Sequence, residues 1–334
     1  MKSKTSKQCK ALGMMLALLL ALAVPAASAS AAADVYPSKP VRFIIPWVPG
    51  GSNDIVGRIL ATKLAERLGK PVVVDNRGGA AGLMGTEIAA RAVPDGYTVV
   101  IAAAHHTLFA PLHDKMHFDP IKSFAPIARV GSGPNVLVVH PSVPANSVKE
   151  LIALAKQKPG QLLFACNGVG SSLHMGAELF KFMAGIDVTM VQFKGGGPAL
   201  TDLLGGHSQA SVLSLIAALP NIKSGKFRAL GTGGSKRSSI LPDVPTVAEA
   251  GLPGYKSIQW WGLLAPAGTP APIVNRLSSE LKAIIAMDDV KKRFLSDGIE
   301  AEHMGPAEFN EFLEDEQDNW TRIVKKANIK LESN

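Results

Sequence analysis

Three glycine-rich stretches hold the residues best suited to chemistry. They are Pro46-Trp47-Val48-Pro49-Gly50-Gly51-Ser52-Asn53-Asp54, Asn76-Arg77-Gly78-Gly79-Ala80-Ala81-Gly82-Leu83-Met84-Gly85 and Cys166-Asn167-Gly168-Val169-Gly170-Ser171-Ser172-Leu173-His174. Each follows a β-branched apolar run and opens a helical pattern. Glycine lets a backbone approach a ligand closely. A helix start leaves amide N–H groups unpaired and carries a partial positive charge, so it suits an anion. One such loop alone is mostly a turn. Three, split between two parts of the chain, predict main-chain donors converging on one small anion without a metal or a cofactor. Asp54 either stabilises a helix N-terminus or faces a ligand amine. His105-His106 end a strand. One of them either enters the site, to bond a second carboxylate or stack on a ring, or both fill loop space. His174 reads as a residue that braces its loop.

The elements that must position these loops alternate. Strands are expected at Val41–Pro46, Val72–Val74 and Tyr97–Ala102, with helices at Ile55–Leu68 and Met84–Arg91. After a long, proline-broken connection over residues 107–126, the rhythm resumes. It gives strands at Val136–Val139, Leu162–Ala165, Val188–Phe193 and Phe227–Leu230, and helices at Val148–Lys156, Leu173–Met183 and Pro198–Leu204. Strand–helix alternation implies parallel sheet covered on both faces. Residues 236–254 read as an irregular return path. Ser257–Leu264 follows as a strand braced by Trp260 and Trp261, a helix opens at Pro270-Ala271-Pro272, and the tail 290–329 reads as helical. Two α/β units joined in this way predict two lobes and a cleft, hinged near residues 125–135 and 250–264.

Other chemistries fit poorly. There is no G-x-S-x-G elbow for a hydrolase. The Gly168-Val169-Gly170-Ser171-Ser172-Leu173 run lacks the third glycine of a dinucleotide fingerprint. His113 and His117 have metal-ligand spacing but stand among prolines, so no metal site is expected.

The first 33 residues bear on location. MKSKTSKQCK carries four lysines and no acid, Ala11–Val24 is apolar, and PAASASAAA is small. This is the layout of a cleaved secretory signal, and 14 apolar residues are too few to span a bilayer. Removing 33 of the 334 residues leaves 301, and the formal charge of +8 falls to +4 as four lysines leave. Basic runs are short and aromatics sparse, so a nucleic-acid surface is not expected. Cys166 would then be the one remaining cysteine, which excludes an internal disulfide.

Five blocks carry a resemblance that spans nearly all of the mature chain. PWVPGGSNDIVGRILA, VVDNRGGAAGLMGTEIAARAVPDGYTVV, NGVGSSLHMGAELFK, QFKGGGPALTDLLGGH and WWGLLAPAGTPAPIVNRL resemble the substrate-binding proteins of tripartite tricarboxylate transporters, the Bug family. The resemblance implies an α/β fold: two Rossmann-like lobes in the type II periplasmic binding protein, or Venus-flytrap, arrangement. The lobes would be 34–130 with 251–334, and 131–250, after a signal peptide at 1–33. It implies a non-enzymatic periplasmic monomer that captures a small carboxylate, such as a dicarboxylate, an aromatic acid or an acidic amino acid. Membrane permease subunits would be its partners. A ligand sensor feeding a membrane receptor is the alternative. By resemblance Val48, Gly51 and Ser52, then Ala80, Ala81 and Gly82, then Gly168, Gly170 and Ser171 sit at the ligand, with Trp47 and His105 added from the residue reading. Phe193 and Cys166 depart from the tyrosine and serine usual at their positions.

Overall fold

The apolar strand runs bury themselves in one twisted mixed sheet. A computed structural model describes residues 36–113, 115–327 and 329. The expected signal sequence lies outside these residues. From Lys39 onward the chain is one compact unit, and among the described residues no helix is long and apolar enough to cross a membrane.

The first part reads β1 (Val41–Ile45), α1 (Ser52–Leu68), β2 (Val72–Asn76), α2 (Leu83–Ala90), β3 (Thr98–Ala103) and the long β4 (Phe124–Val139). Then follow α3 (Val148–Gln157), β5 (Leu163–Cys166), α4 (Ser172–Ala184), β6 (Thr189–Gln192), α5 (Gly196–Leu204), β7 (Ala210–Ser214), α6 (Leu215–Lys223) and β8 (Arg228–Thr232). The chain closes with β9 (Ile258–Pro266), α7 (Ala271–Ala286), α8 (Asp288–Ser296), β10 (Glu300–Met304) and α9 (Pro306–Lys326). The strand order is β2-β1-β3-β9-β4-β7-β5-β6, with β8 and β10 also on β4.

Parallel pairing sets the ends of the strands level. Ile45 at the end of β1 stands beside Asn76 at the end of β2. Cys166 at the end of β5 stands beside Gln192 at the end of β6. The first and second glycine loops therefore leave the sheet side by side. The third leaves beside a further loop, Phe193-Lys194-Gly195, that opens α5. Ligands of open α/β sheets bind beyond such carboxyl ends.

Strand β4 joins the two halves. Its first part pairs antiparallel with β9 from Phe124–Pro266 to Pro134–Ile258, and its last part pairs with β7 and β8. Register shifts at Pro126–Ala128 and Arg129–Gly131 absorb the residues that fit a ladder poorly. The expected strand at Val136–Val139 is thus only the end of a 16-residue strand. Proline and glycine hid the rest.

One further expectation is corrected. The tail is two helices separated by β10, an exposed, charged edge strand, which periodicity cannot distinguish from helix. The segment before Phe227 holds β7 and α6, which abut with no turn residue and so read as one apolar run. Trp260 and Trp261 are fully buried, and Trp260 packs edge-on against Phe309 and Phe312 of α9. Separate apolar clusters lie on either side of the sheet's centre: one around Ile44, Val100, Trp260 and Phe309, another around Phe164, Phe180, Val212 and Tyr255.

Candidate functional site

Each loop is braced by polar side chains behind it. In the first loop the buried Asp54 carboxylate accepts the Gly50 amide at 3.0 Å, Arg58 Nε at 2.9 Å and Asn76 Nδ2 at 2.9 Å. Asn76 Nδ2 also donates to the Trp47 carbonyl at 3.0 Å. Burial pushes the Asp54 carboxyl up, but Arg58, Asn76 and the Gly50 amide outweigh it and hold it below the usual carboxylate range. Asp54 therefore pins the loop to β2. The helix N-cap is Gly51, with no side-chain cap bond.

The second loop is strained. Gly79, Ala80, Ala81 and Gly82 all have positive φ, with Ala80 at +46° and Ala81 at +52°. A left-handed residue with a Cβ costs about 1–2 kcal/mol, and such strain tends to collect where a site needs a fixed backbone. Ala81→Gly is therefore expected to raise stability by about 1 kcal/mol in urea unfolding. An unchanged or lower midpoint would show that the loop carries no strain at this residue.

The third loop is held by its own helix. Ser171 caps α4, accepting the His174 amide at 3.2 Å and donating to Asn167 Oδ1 at 2.5 Å. His174 Nδ1 accepts the Gly170 amide at 3.1 Å, which leaves the proton on Nε2, 3.5 Å from Glu178 Oε1. His174 thus braces the loop. Cys166 is buried, and burial, followed by the nearby Glu178 charge, pushes its thiol up to about 12. Such a thiol is unreactive.

The loops meet in one crevice. A cavity of about 590 Å³ is walled by Trp47 and Val48, by Gly78–Ala81, by Asn167–Val169 and by Gln192–Gly195. A smaller chamber of about 90 Å³ is walled by residues 47–53, by Asn167, Ser172 and Leu173, by Gly196 and Gly197, and by Ser214 and Gln259. Trp47, Val48 and Asn167 line both. Where the chambers meet, a Cβ added to Gly195 would stand 3.1 Å from Val48 Cγ2, so the first and fourth loops touch. Among all these lining residues Lys194 is the one charged side chain.

Trp47, Val48, Gly51, Ser52, Ala80, Ala81 and Gly168 therefore line the crevice. Gly82, Gly170, Ser171 and His105 line neither chamber. They are buried. The His105 ring packs edge-on against Trp47 at 5.2 Å and Phe109 at 5.5 Å. Burial, and then the adjacent His106, lowers His105 to about 3, so it is neutral. Among the described residues neither of its ring nitrogens has a partner, nor has the buried Trp47 Nε1. His106 is lowered to about 4 by burial, and its Nε2 donates to the Pro120 carbonyl at 2.6 Å.

Lining residues that the sequence reading did not place at the ligand include Asn53, Asn167, Ser172, Gly195–Gly197, Ser214 and Gln259. The Gly195–Gly197 run has the same strand–glycine–helix signature as the other loops, and that signature could have found it. Gln259 is the second residue of β9, with no local signal at all.

Comparisons with known proteins identify the family. The sequence pattern described as tripartite tricarboxylate transporter family receptor matches residues 56–329. This chain belongs to that family. Such receptors bind substrates and are not a family of enzymes. The chain is similar to protein BugT of Bordetella pertussis, at 36% identity over 93% of this chain and 96% of the relative. It is similar to the R. palustris protein Rpa4515 solved with adipate, at 33% identity and TM-score 0.85, covering 88% of this chain and 99% of that one. It is also similar to MatC of Rhodopseudomonas palustris with bound malate, at 30% identity and TM-score 0.82, covering 86% and 100%. The receptor fold is the two-lobed α/β arrangement of solute-binding proteins.

Proposed function

We propose that this chain is a periplasmic receptor whose two lobes, 34–130 with 251–334 and 131–250, close on a dicarboxylate and deliver it to the membrane subunits of a transporter. The observation that carries this reading is the crevice itself. Four strand–glycine–helix loops face one another there across two joined chambers. Their walls are glycine-rich backbone, apolar side chains such as Trp47, Val48 and Phe193, neutral polar side chains and one exposed lysine. Helix starts and amides stabilise carboxylates without neutralising them fully. A ligand touching loops of both lobes binds the closed form better and so shifts the population toward it. The adipate and malate bound by similar proteins are of this class. The basic, apolar and small segments of the first 33 residues support export.

Thermal unfolding with adipate, malate and their neutral diamides tests the reading. At a hundredfold excess over Kd an acid that binds should stabilise the fold by about 2.7 kcal/mol. The diamides should leave it unchanged. Equal stabilisation by an acid and its diamide would remove the anion site.

A further inference from the structure

The smaller chamber ends on a hydrogen-bond chain whose direction is fixed by one group. Trp261 Nε1 can only donate, and it lies 2.9 Å from Asn53 Oδ1. This identifies the oxygen side of the Asn53 amide, an assignment that heavy atoms alone leave open. Gln259 Nε2 donates to the same oxygen at 3.1 Å. Gln259 Oε1 in turn accepts from Ser172 Oγ at 3.1 Å. Both lone pairs of Asn53 Oδ1 are then engaged, and both amide ends of Gln259 are satisfied.

The Asn53 amino group is what remains. Asn53 is 8% exposed, it lines the chamber, and its two Nδ2 protons have no protein partner among the described residues. Resting on the carboxylate-receptor reading above, we infer that Asn53 Nδ2 is a preset hydrogen-bond donor to the ligand carboxylate, and that Gln259 and Trp261 are the positioning residues that aim it. The fold supplies the clamp simply. Residues 259 and 261 are two apart on β9 and so share one face, while Trp260 points to the α9 side. Ser172 is the first residue of α4 and Asn53 the second of α1. Gln259 therefore ties the two helix starts on opposite sides of the crevice to one strand. A donor already aimed loses little freedom on binding.

Titration of ¹⁵N-labelled full-length mature protein with adipate, and separately with malate, tests this. At saturation the Asn53 Nδ2 proton pair should move, and the Gln259 Nε2 and Trp261 Nε1 signals should stay near their starting positions. Asn53→Ala should weaken binding at least about tenfold, the scale of a hydrogen bond to a charged group. Gln259→Met should weaken it about fivefold in the wild-type background and by less than twofold in the Asn53→Ala background. A merely structural role would weaken binding equally in both backgrounds. Binding with unmoved Asn53 signals, or an undiminished Gln259→Met effect beside Asn53→Ala, would overturn the inference alone. Absence of binding by either acid in the wild type would overturn the receptor reading, and the donor role with it.

Discussion

Trp47→Ala is expected to weaken carboxylate binding by roughly a hundredfold. Trp47 lines both chambers, while its Nε1 is buried on the Gly82 side and has no protein partner among the described residues. Losing the aromatic wall should cost about 3 kcal/mol of affinity. The same change uncovers His105, whose ring stands 5.2 Å from the indole. His105 is lowered to about 3 by burial, and exposure should return it toward about 6.5. Trp47→Phe separates the effects. It keeps the wall and removes an unsatisfied N–H, so the ligand-free fold should be as stable as before, or more so. Affinity should stay within about twofold, because the indole N–H is buried on the Gly82 side and does not reach the chambers. Calorimetry with adipate and malate measures both variants, and histidine NMR follows the titration. A loss of about tenfold in Trp47→Phe would show instead that the indole N–H meets the ligand.

Gly82→Val should have the largest effect on stability. Gly82 has φ +97°, and a Cβ there would stand 2.9 Å from the His105 ring and 3.2 Å from Trp47 Nε1. A β-branched residue in this region adds about 1–2 kcal/mol of backbone cost, and overpacking adds about 1–3 kcal/mol. A loss of about 3 kcal/mol is expected in urea unfolding, with the m-value unchanged. Gly51→Ala is the contrast. Gly51 has φ −84°, and an added Cβ meets nothing within 4 Å. That change should move the midpoint little. A midpoint for Gly82→Val near that of Gly51→Ala would mean that Gly82 is under no such constraint.

These two glycines show how far the sequence could be read. Both stand in loops with the same signature, and the family resemblance implies that both are ligand contacts. Only the second is pressed against a histidine from the loop after β3, some twenty residues onward. His105 shows the same limit from the other side. Its place at the end of a strand was legible, but its burial behind Gly82 depends on Trp47 and Phe109, which no spacing connects to it. Strands were legible where they are apolar and continuous. Strand β4 was legible only over its last four residues, because its prolines and glycines are tolerated by bulges that pairing with β9 creates. The fourth loop was legible in principle, from three glycines at a helix start.

The sequence by itself determined the α/β rhythm and the strand-end glycine loops, because periodicity and turn chemistry act over a few neighbouring residues, and five blocks of it carried the family resemblance. Tertiary structure alone decided which donors point into the crevice. Asn53, Gln259 and Ser172 are separated by 87 to 206 residues along the chain, and they meet only because β9 crosses between the two helix starts. A buried amide is oriented by whichever partners burial forces upon it, and those partners are set by packing, not by sequence neighbours.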